Sequence, residues 1–133
     1  TSLNKHWPDF VLKEIAFVEQ RALFDRLTGK LGRPPPVIDS DDLLENPHGI
    51  VEAYCNAVGI AYIEEALSWE PGHRDEVSWY DSGSWHANLR DSTGLKAQPR
   101  QYIDISEAPQ RVREIYETVL PHYQHLYQYR LRT

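Results

Sequence analysis

The residues best suited to chemistry fall into a few groups. Asp39, Asp41 and Asp42 follow a short apolar run and offer carboxylates for Mg²⁺ or for acid–base work. The same residues also suit a helix start, where aspartate at the cap and in the first turn complements the dipole. That second reading is the preferred one. His122 and His125 share a helical face, but no third ligand at a suitable spacing completes a metal set, so no metal site is expected. Trp69, Trp79, Tyr80 and Trp85 bring flat apolar rings into one stretch. Such rings line a substrate pocket or stack a purine, and they serve equally to pin a long loop to the body. The sequence holds no GxxxxGK[ST] phosphate loop, no GxGxxG, no GxSxG and no HExxH. No complete catalytic unit is visible.

Charge narrows the classes of partner. The 133 residues carry a formal net charge of -6. That argues against broad binding to nucleic acid, which needs a cationic surface. Arg90, Lys96, Arg100, Arg111 and Arg113 make the second half locally more positive, leaving room for a phosphate. A hydrophobic fraction of 41% is enough to build a core, and disorder is not expected. Cys55 is the single cysteine, so no internal disulfide forms, which fits a reducing, cytoplasmic setting. It sits in a helical pattern with Val51, Tyr54 and Val58, as a core thiol does. No apolar run reaches membrane-spanning length, and no signal peptide is evident. The chain starts at Thr1 and has no methionine, which reads as a fragment boundary or a processed end.

The elements that must position these residues are mostly helical. Val11, Ile15, Val18 and Ala22, widened by Phe10, Phe17, Phe24, Leu27 and Leu31, predict a helix over about 9–31. Gly32 and Pro34-Pro35-Pro36 stop it. Val37-Ile38 reads as a short buried strand, and a lone strand of that kind belongs to a sheet supplied from elsewhere. Short helices follow, one from Ser40 or Asp41 through Glu45 and another from Pro47 to Val58, closed by Gly59. One more turn fits 63–67. Residues 68–105 read as irregular, with a short helix over 84–89; a loop of that length is usually functional. The last helix spans about 106–131. Its inner face is Val112, Ile115, Tyr116, Val119, Leu120, Tyr123, Leu126 and Tyr127, with a kink expected at Pro121. Residues 1–133 are expected to form a single domain or part of one.

The run Val37-Ile38-Asp39-Ser40-Asp41-Asp42-Leu43-Leu44 continues as Glu45-Asn46-Pro47-His48-Gly49. Cys55-Asn56-Ala57-Val58-Gly59-Ile60 and Leu67-Ser68-Trp69-Glu70-Pro71-Gly72 follow in order. With Trp85, Ser92-Thr93-Gly94 and the final tyrosine-rich helix, this resembles the C-terminal half of P-loop sulfotransferase-like proteins, chiefly the bacterial and fungal branch. The resemblance covers nearly the whole chain. It implies an α/β fold with a parallel sheet wrapped by helices, of which this segment supplies mostly helix and one short strand. It also implies transfer of a sulfuryl group from 3′-phosphoadenosine 5′-phosphosulfate to a small-molecule hydroxyl or amine. The family's phosphosulfate loop and its usual catalytic lysine and histidine belong to the N-terminal half.

By the same resemblance, Ser2 matches the serine that helps hold the cofactor's 3′-phosphate. Trp85 and a glycine match the later cofactor loop, whose Arg-Lys pair is replaced by Asp81-Ser82. Arg90 and Lys96 are the cations placed to substitute for that pair. Trp69, Trp79 and Tyr80 would wall the acceptor. The implied partners are the absent N-terminal half or a second copy of the chain, together with a small-molecule acceptor, and neither nucleic acid nor membrane. The alternative is a non-catalytic helical interaction or dimerisation domain derived from that fold, with Tyr127 and Tyr129 marking its interface.

Overall fold

The computed structural model describes residues 7–72, 87–97 and 104–133. They divide into two compact units. Residues 7–39 and 104–131 make one; 40–72, 87–97 and 132–133 make the other.

The first unit is built on two long helices. The predicted helix over 9–31 is in fact two, α1 (Leu12–Ile15) and α2 (Phe17–Leu31). Between them Ala16 adopts a left-handed conformation, φ 59°. At the start of α1 the Val11 N–H donates to the Glu14 carboxylate at 2.7 Å. Helix α2 packs on the last long helix. That helix, α6 (Gln110–Tyr127), comes after a 3-10 turn over Ile105–Glu107 and contains Pro121 without interruption. Val112, Val119 and Leu126 recur every two turns on one stripe of α6 and are buried, together with Phe24 of α2 and Phe10. Each such side chain contributes roughly 1.5–3 kcal/mol when fully buried. Tyr116 and Tyr123, expected on the inner face of α6, are exposed at 40% and 37%. Tyr123 stacks on Tyr127, meets Phe17 edge-on and donates its hydroxyl to Asp39 at 3.0 Å.

Arginines close this unit. The Arg111 guanidinium lies 4.5 Å over the Phe10 ring and donates to the carbonyls of Phe10 and Pro8. Arg113 donates to the Ala108 carbonyl at 2.8 Å and the Ser106 carbonyl at 3.1 Å, fastening the 3-10 turn to α6.

The expected strand at Val37-Ile38 does not form. Among the described residues there is no strand, only isolated bridges. Val37 makes a parallel bridge with Arg130, and the Leu131 N–H donates to the Val37 carbonyl at 2.9 Å. The physical reason is local. Prolines at 34–36 have no N–H to donate on one side, and helix begins at Ser40 on the other, so too few residues remain for a ladder.

The second unit begins with α3 (Ser40–Glu45), which carries Asp41 and Asp42 in its first turn, and α4 (Pro47–Val58). Asn46 caps α4 by accepting from the Gly49 N–H at 3.1 Å, with Pro47 at the first helical position. Gly59 ends it in the left-handed conformation, φ 76°. Ile50 and Cys55 are the buried residues of α4, whereas Val58, expected inside, is 41% exposed. A 3-10 turn over Glu64–Leu67 follows, and then α5 (Ala87–Arg90); of the helix expected at 84–89, residues 84–86 lie outside the described residues. Among the described residues, no helix is long and apolar enough to cross a membrane.

Candidate functional site

The site is assembled by backbone pairing that no local pattern announces. Residues 68–72 run antiparallel to 90–94. Ser68 bridges Gly94, the Trp69 N–H donates to the Thr93 carbonyl at 3.2 Å, and the Gly72 N–H donates to the Arg90 carbonyl at 2.8 Å. The approach is close at Gly94, where a Cβ would stand 2.7 Å from the Leu67 carbonyl oxygen. Only glycine fits there, and φ is 152°.

This pairing fixes Trp69. Its indole N–H donates to Ser92 Oγ at 3.0 Å, and Ser92 Oγ donates onward to the Leu89 carbonyl at 2.6 Å. The half-buried ring is therefore held in one orientation. Ser68, Trp69, Glu70 and Thr93 line an open depression of about 420 Å³. The Lys96 ammonium donates to Thr93 Oγ1 at 2.7 Å and so reaches that rim.

The two expected cations differ in state. Arg90 is engaged by its neighbour, with Nε 2.9 Å from Asp91 Oδ1 and Nη2 3.3 Å from Oδ2. Hydrogen bonding to that carboxylate, then its charge, raises the Arg90 pKa above its ordinary value. The same hydrogen bond holds the Asp91 carboxyl below the usual range. Lys96 forms no ion pair among the described residues. Of the expected site residues, Trp69 and Lys96 are thus brought together through Thr93, and Arg90 is neutralised beside them. Ser2, Trp79, Tyr80 and Trp85 lie outside the described residues.

Other chemistry-bearing groups resolve as follows. His125 packs between Phe24 and Tyr129, at 5.8 and 5.2 Å between ring centroids. Among the described residues no three potential ligands lie close enough to hold a metal. One cluster was missed by sequence reasoning. His48 Nδ1 is 2.9 Å from the Tyr62 hydroxyl and 3.7 Å from Glu64 Oε1. Partial burial, then the nearby Glu64 and Glu52 carboxylates, push the Tyr62 hydroxyl above the usual phenol range. The helical repeat of α4 points His48 outward but carries no signal for its partners on the next loop.

Comparison with known proteins gives a family. Residues 2–128 match the profile described as a sulfotransferase domain. Two proteins of Arabidopsis thaliana are similar to the chain. Branched-chain-amino-acid aminotransferase-like protein 2 is 30% identical over 73 residues, 55% of this chain and 13% of that protein. Branched-chain-amino-acid aminotransferase-like protein 1 is 28% identical over 97 residues, 73% of this chain and 17% of that protein. The chain thus spans less than a fifth of the length of these curated relatives. No solved structure matches it. The family match takes in both compact units, and on it the chain belongs to the sulfotransferase domain family.

Proposed function

We propose that the chain is the C-terminal part of a cytoplasmic P-loop sulfotransferase of the bacterial and fungal type. In the complete protein a sulfuryl group passes from 3′-phosphoadenosine 5′-phosphosulfate to a hydroxyl or amine of a small molecule. The observation that carries this reading is the family match over residues 2–128. On this reading, with no GxxxxGK[ST] phosphate loop in the 133 residues, a partner half would hold the sulfate-bearing end of the donor. On this reading the Val37–Arg130 bridge is where the parallel sheet of an α/β fold continues.

The residues described here do not fit the whole cofactor. That nucleotide carries several anionic groups, and beside the Trp69 turn the described residues offer Lys96, with Arg90 already held by Asp91. Ser2 and Trp85 keep the cofactor contacts assigned to them by resemblance, and Trp79 and Tyr80 keep theirs to the acceptor. The 133 residues alone are therefore expected to be inactive.

Calorimetry with 3′,5′-adenosine diphosphate tests the division of labour. The chain alone is expected to bind weakly or not at all, and the protein that includes a phosphate loop to bind. Tight binding by the chain alone would overturn the split site. A loop-containing protein that transfers no sulfuryl group to any of a panel of alcohols, phenols and amines would overturn the reaction itself.

A further inference from the structure

We propose that the chain associates with a second copy of itself head to tail: the exposed Leu23–Arg26–Lys30 stripe of α2 in one copy seats on Ile60 and Ile63, beside the carboxylates Glu52 and Glu65, in the next. This goes beyond the sulfotransferase reading and does not rest on it. Each of the two surfaces lies wholly within one compact unit.

The basic surface is the outer side of α2. The helix turns Phe24 inward and packs on α6. Leu23, Arg26 and Lys30 recur at i, i+3 and i+7, so they share another stripe, and all three are exposed. Leu31 and Arg33, at the helix end, are exposed as well. Arg26, Lys30 and Arg33 meet no carboxylate among the described residues, and the neighbouring Asp25 is taken by Arg21 at 2.8 Å. Glu19 stands in the first turn, at the other end of the helix. Cations near a helix C-terminus complement its dipole, but that does not account for the two exposed leucines set among them.

The acidic surface forms where α4 ends. The N–H groups of Gly59 and Ile60 both donate to the Cys55 carbonyl, at 2.9 and 3.0 Å. His48 Nδ1 lies 2.9 Å from the Tyr62 hydroxyl. On this pinned backbone Ile60 and Ile63 are exposed at 57% and 59%. Glu64, Glu52 and Glu65 gather near Tyr62: partial burial comes first, and then their charges raise its pKa. Glu52 and Glu65 meet no cation among the described residues, and Glu64 faces His48 at 3.7 Å.

One surface thus carries leucines and free cations, the other isoleucines and carboxylates. Apolar contact supplies affinity, and opposite charges around it choose the partner and hasten encounter. Pairing either surface with its own copy would set like charges together, so the contact is heterologous rather than two-fold. Both surfaces are fixed before contact, so little ordering opposes it. The tyrosines expected to mark an interface are taken up by ring contacts within the chain: Tyr127 lies under the Arg130 guanidinium at 3.6 Å, and Tyr129 is 4.9 Å from Phe24 between ring centroids.

The experiment is sedimentation velocity of the full chain over a concentration series reaching the high micromolar range. The mean sedimentation coefficient should rise with concentration, and the rise should shrink as salt goes from about 0.1 M to about 1 M. Arg26→Glu with Lys30→Glu should weaken association at least about tenfold, because both surfaces are then acidic. Glu52→Lys with Glu65→Lys should weaken it as much, because both are then basic. An equimolar mixture of the two double variants should associate again, since each supplies the surface the other has lost. Lys13→Glu with Arg132→Glu changes the net charge as the first pair does, at exposed positions outside both surfaces, and should stay within about two-fold of wild type. A wild-type chain that stays monomeric throughout would overturn the proposal. So would double variants that associate as wild type does, or a mixture that remains monomeric. Association that tightens with salt would mean apolar contact between like surfaces and would overturn the pairing too.

Discussion

The Trp69 indole N–H donates to Ser92 Oγ at 3.0 Å, across a separation of 23 residues in sequence. Ser92 Oγ in turn donates a hydrogen bond to the Leu89 carbonyl, so one hydroxyl both accepts from the indole and donates to the backbone. Ser92→Ala removes both bonds at once. The indole N–H is part-buried, and losing its acceptor should cost about 1 kcal/mol. Chemical denaturation should show a lower midpoint with an unchanged slope. The fluorescence contribution of Trp69, isolated by comparison with Trp69→Phe, should shift to the red as water reaches the ring.

Gly94 holds the same pairing from the backbone side. An added Cβ would meet the Leu67 carbonyl at 2.7 Å, and the backbone there is one that side-chain-bearing residues rarely adopt. Gly94→Ala should therefore cost about 1–3 kcal/mol. It should also separate residues 68–70 from 92–94, seen as faster amide exchange at Trp69. Unchanged exchange at that amide would mean the contact is dispensable.

How much of this was legible in the sequence depends on how local each cause is. Helix α4 could be read because its start and stop are carried by Asn46, Pro47 and Gly59 themselves. Cys55 could be placed inside because the helical repeat does so. The break at Ala16 could not, since alanine is a strong helix former and its left-handed conformation runs against its own preference. Val37-Ile38 has strand-like residues, yet strand formation needs partners, and among the described residues Val37 makes a single isolated bridge, to Arg130. In the sequence Trp69 stands out for its ring and Lys96 for its charge. That they share a rim follows from the pairing of 68–72 with 90–94, which depends on Gly94 and leaves no periodic trace.

Ala16 offers a test with a definite sign. If residues 9–31 formed one helix, Ala16→Gly would cost about 1 kcal/mol through glycine's poor helix propensity. With Ala16 at φ 59°, the left-handed backbone costs an L-residue roughly 1–2 kcal/mol, which glycine avoids. Glycine's greater freedom in the unfolded chain offsets part of that gain. Ala16→Gly is therefore expected to leave stability equal or raise it by up to about 1 kcal/mol. Thermal and urea unfolding of the variant check this, and a clear loss would restore the single helix.

Acid should weaken the fold through two aspartates. Hydrogen bonding from Arg90 lowers the Asp91 pKa, and hydrogen bonds from the Ser106 hydroxyl and N–H lower that of Asp104. A carboxyl lowered in the folded state binds its proton more readily when unfolded. Its stabilisation is then present above the unfolded value, about 3.9, and is lost as pH falls through the lower, folded value. Both groups are exposed, so the effect is small and screened by salt. Asp104→Asn should be less stable than wild type at neutral pH, and the gap should close as pH falls below about 4. A gap that stays constant with pH would assign the loss to altered capping geometry instead.

Arg111 decides whether residues 8–10 stay on α6. Its guanidinium satisfies the carbonyls of Phe10 and Pro8 while lying flat on the Phe10 ring, and Phe10 is 2% exposed. Lysine cannot reproduce that arrangement, because a point ammonium lacks both the planar fork and the stacking face. Arg111→Lys should thus recover only a small part of what Arg111→Ala loses. The alanine variant removes two charge-assisted hydrogen bonds to backbone and a cation–π contact, for a loss of about 2–4 kcal/mol. The loss should be local as well as global: proteolysis should cut near Pro8–Phe10 in Arg111→Ala under conditions where wild type resists. If lysine restored full stability, the guanidinium would be acting as a charge alone. Its two bonds to Phe10 and Pro8 would then carry no weight in seating the segment that leads into α1.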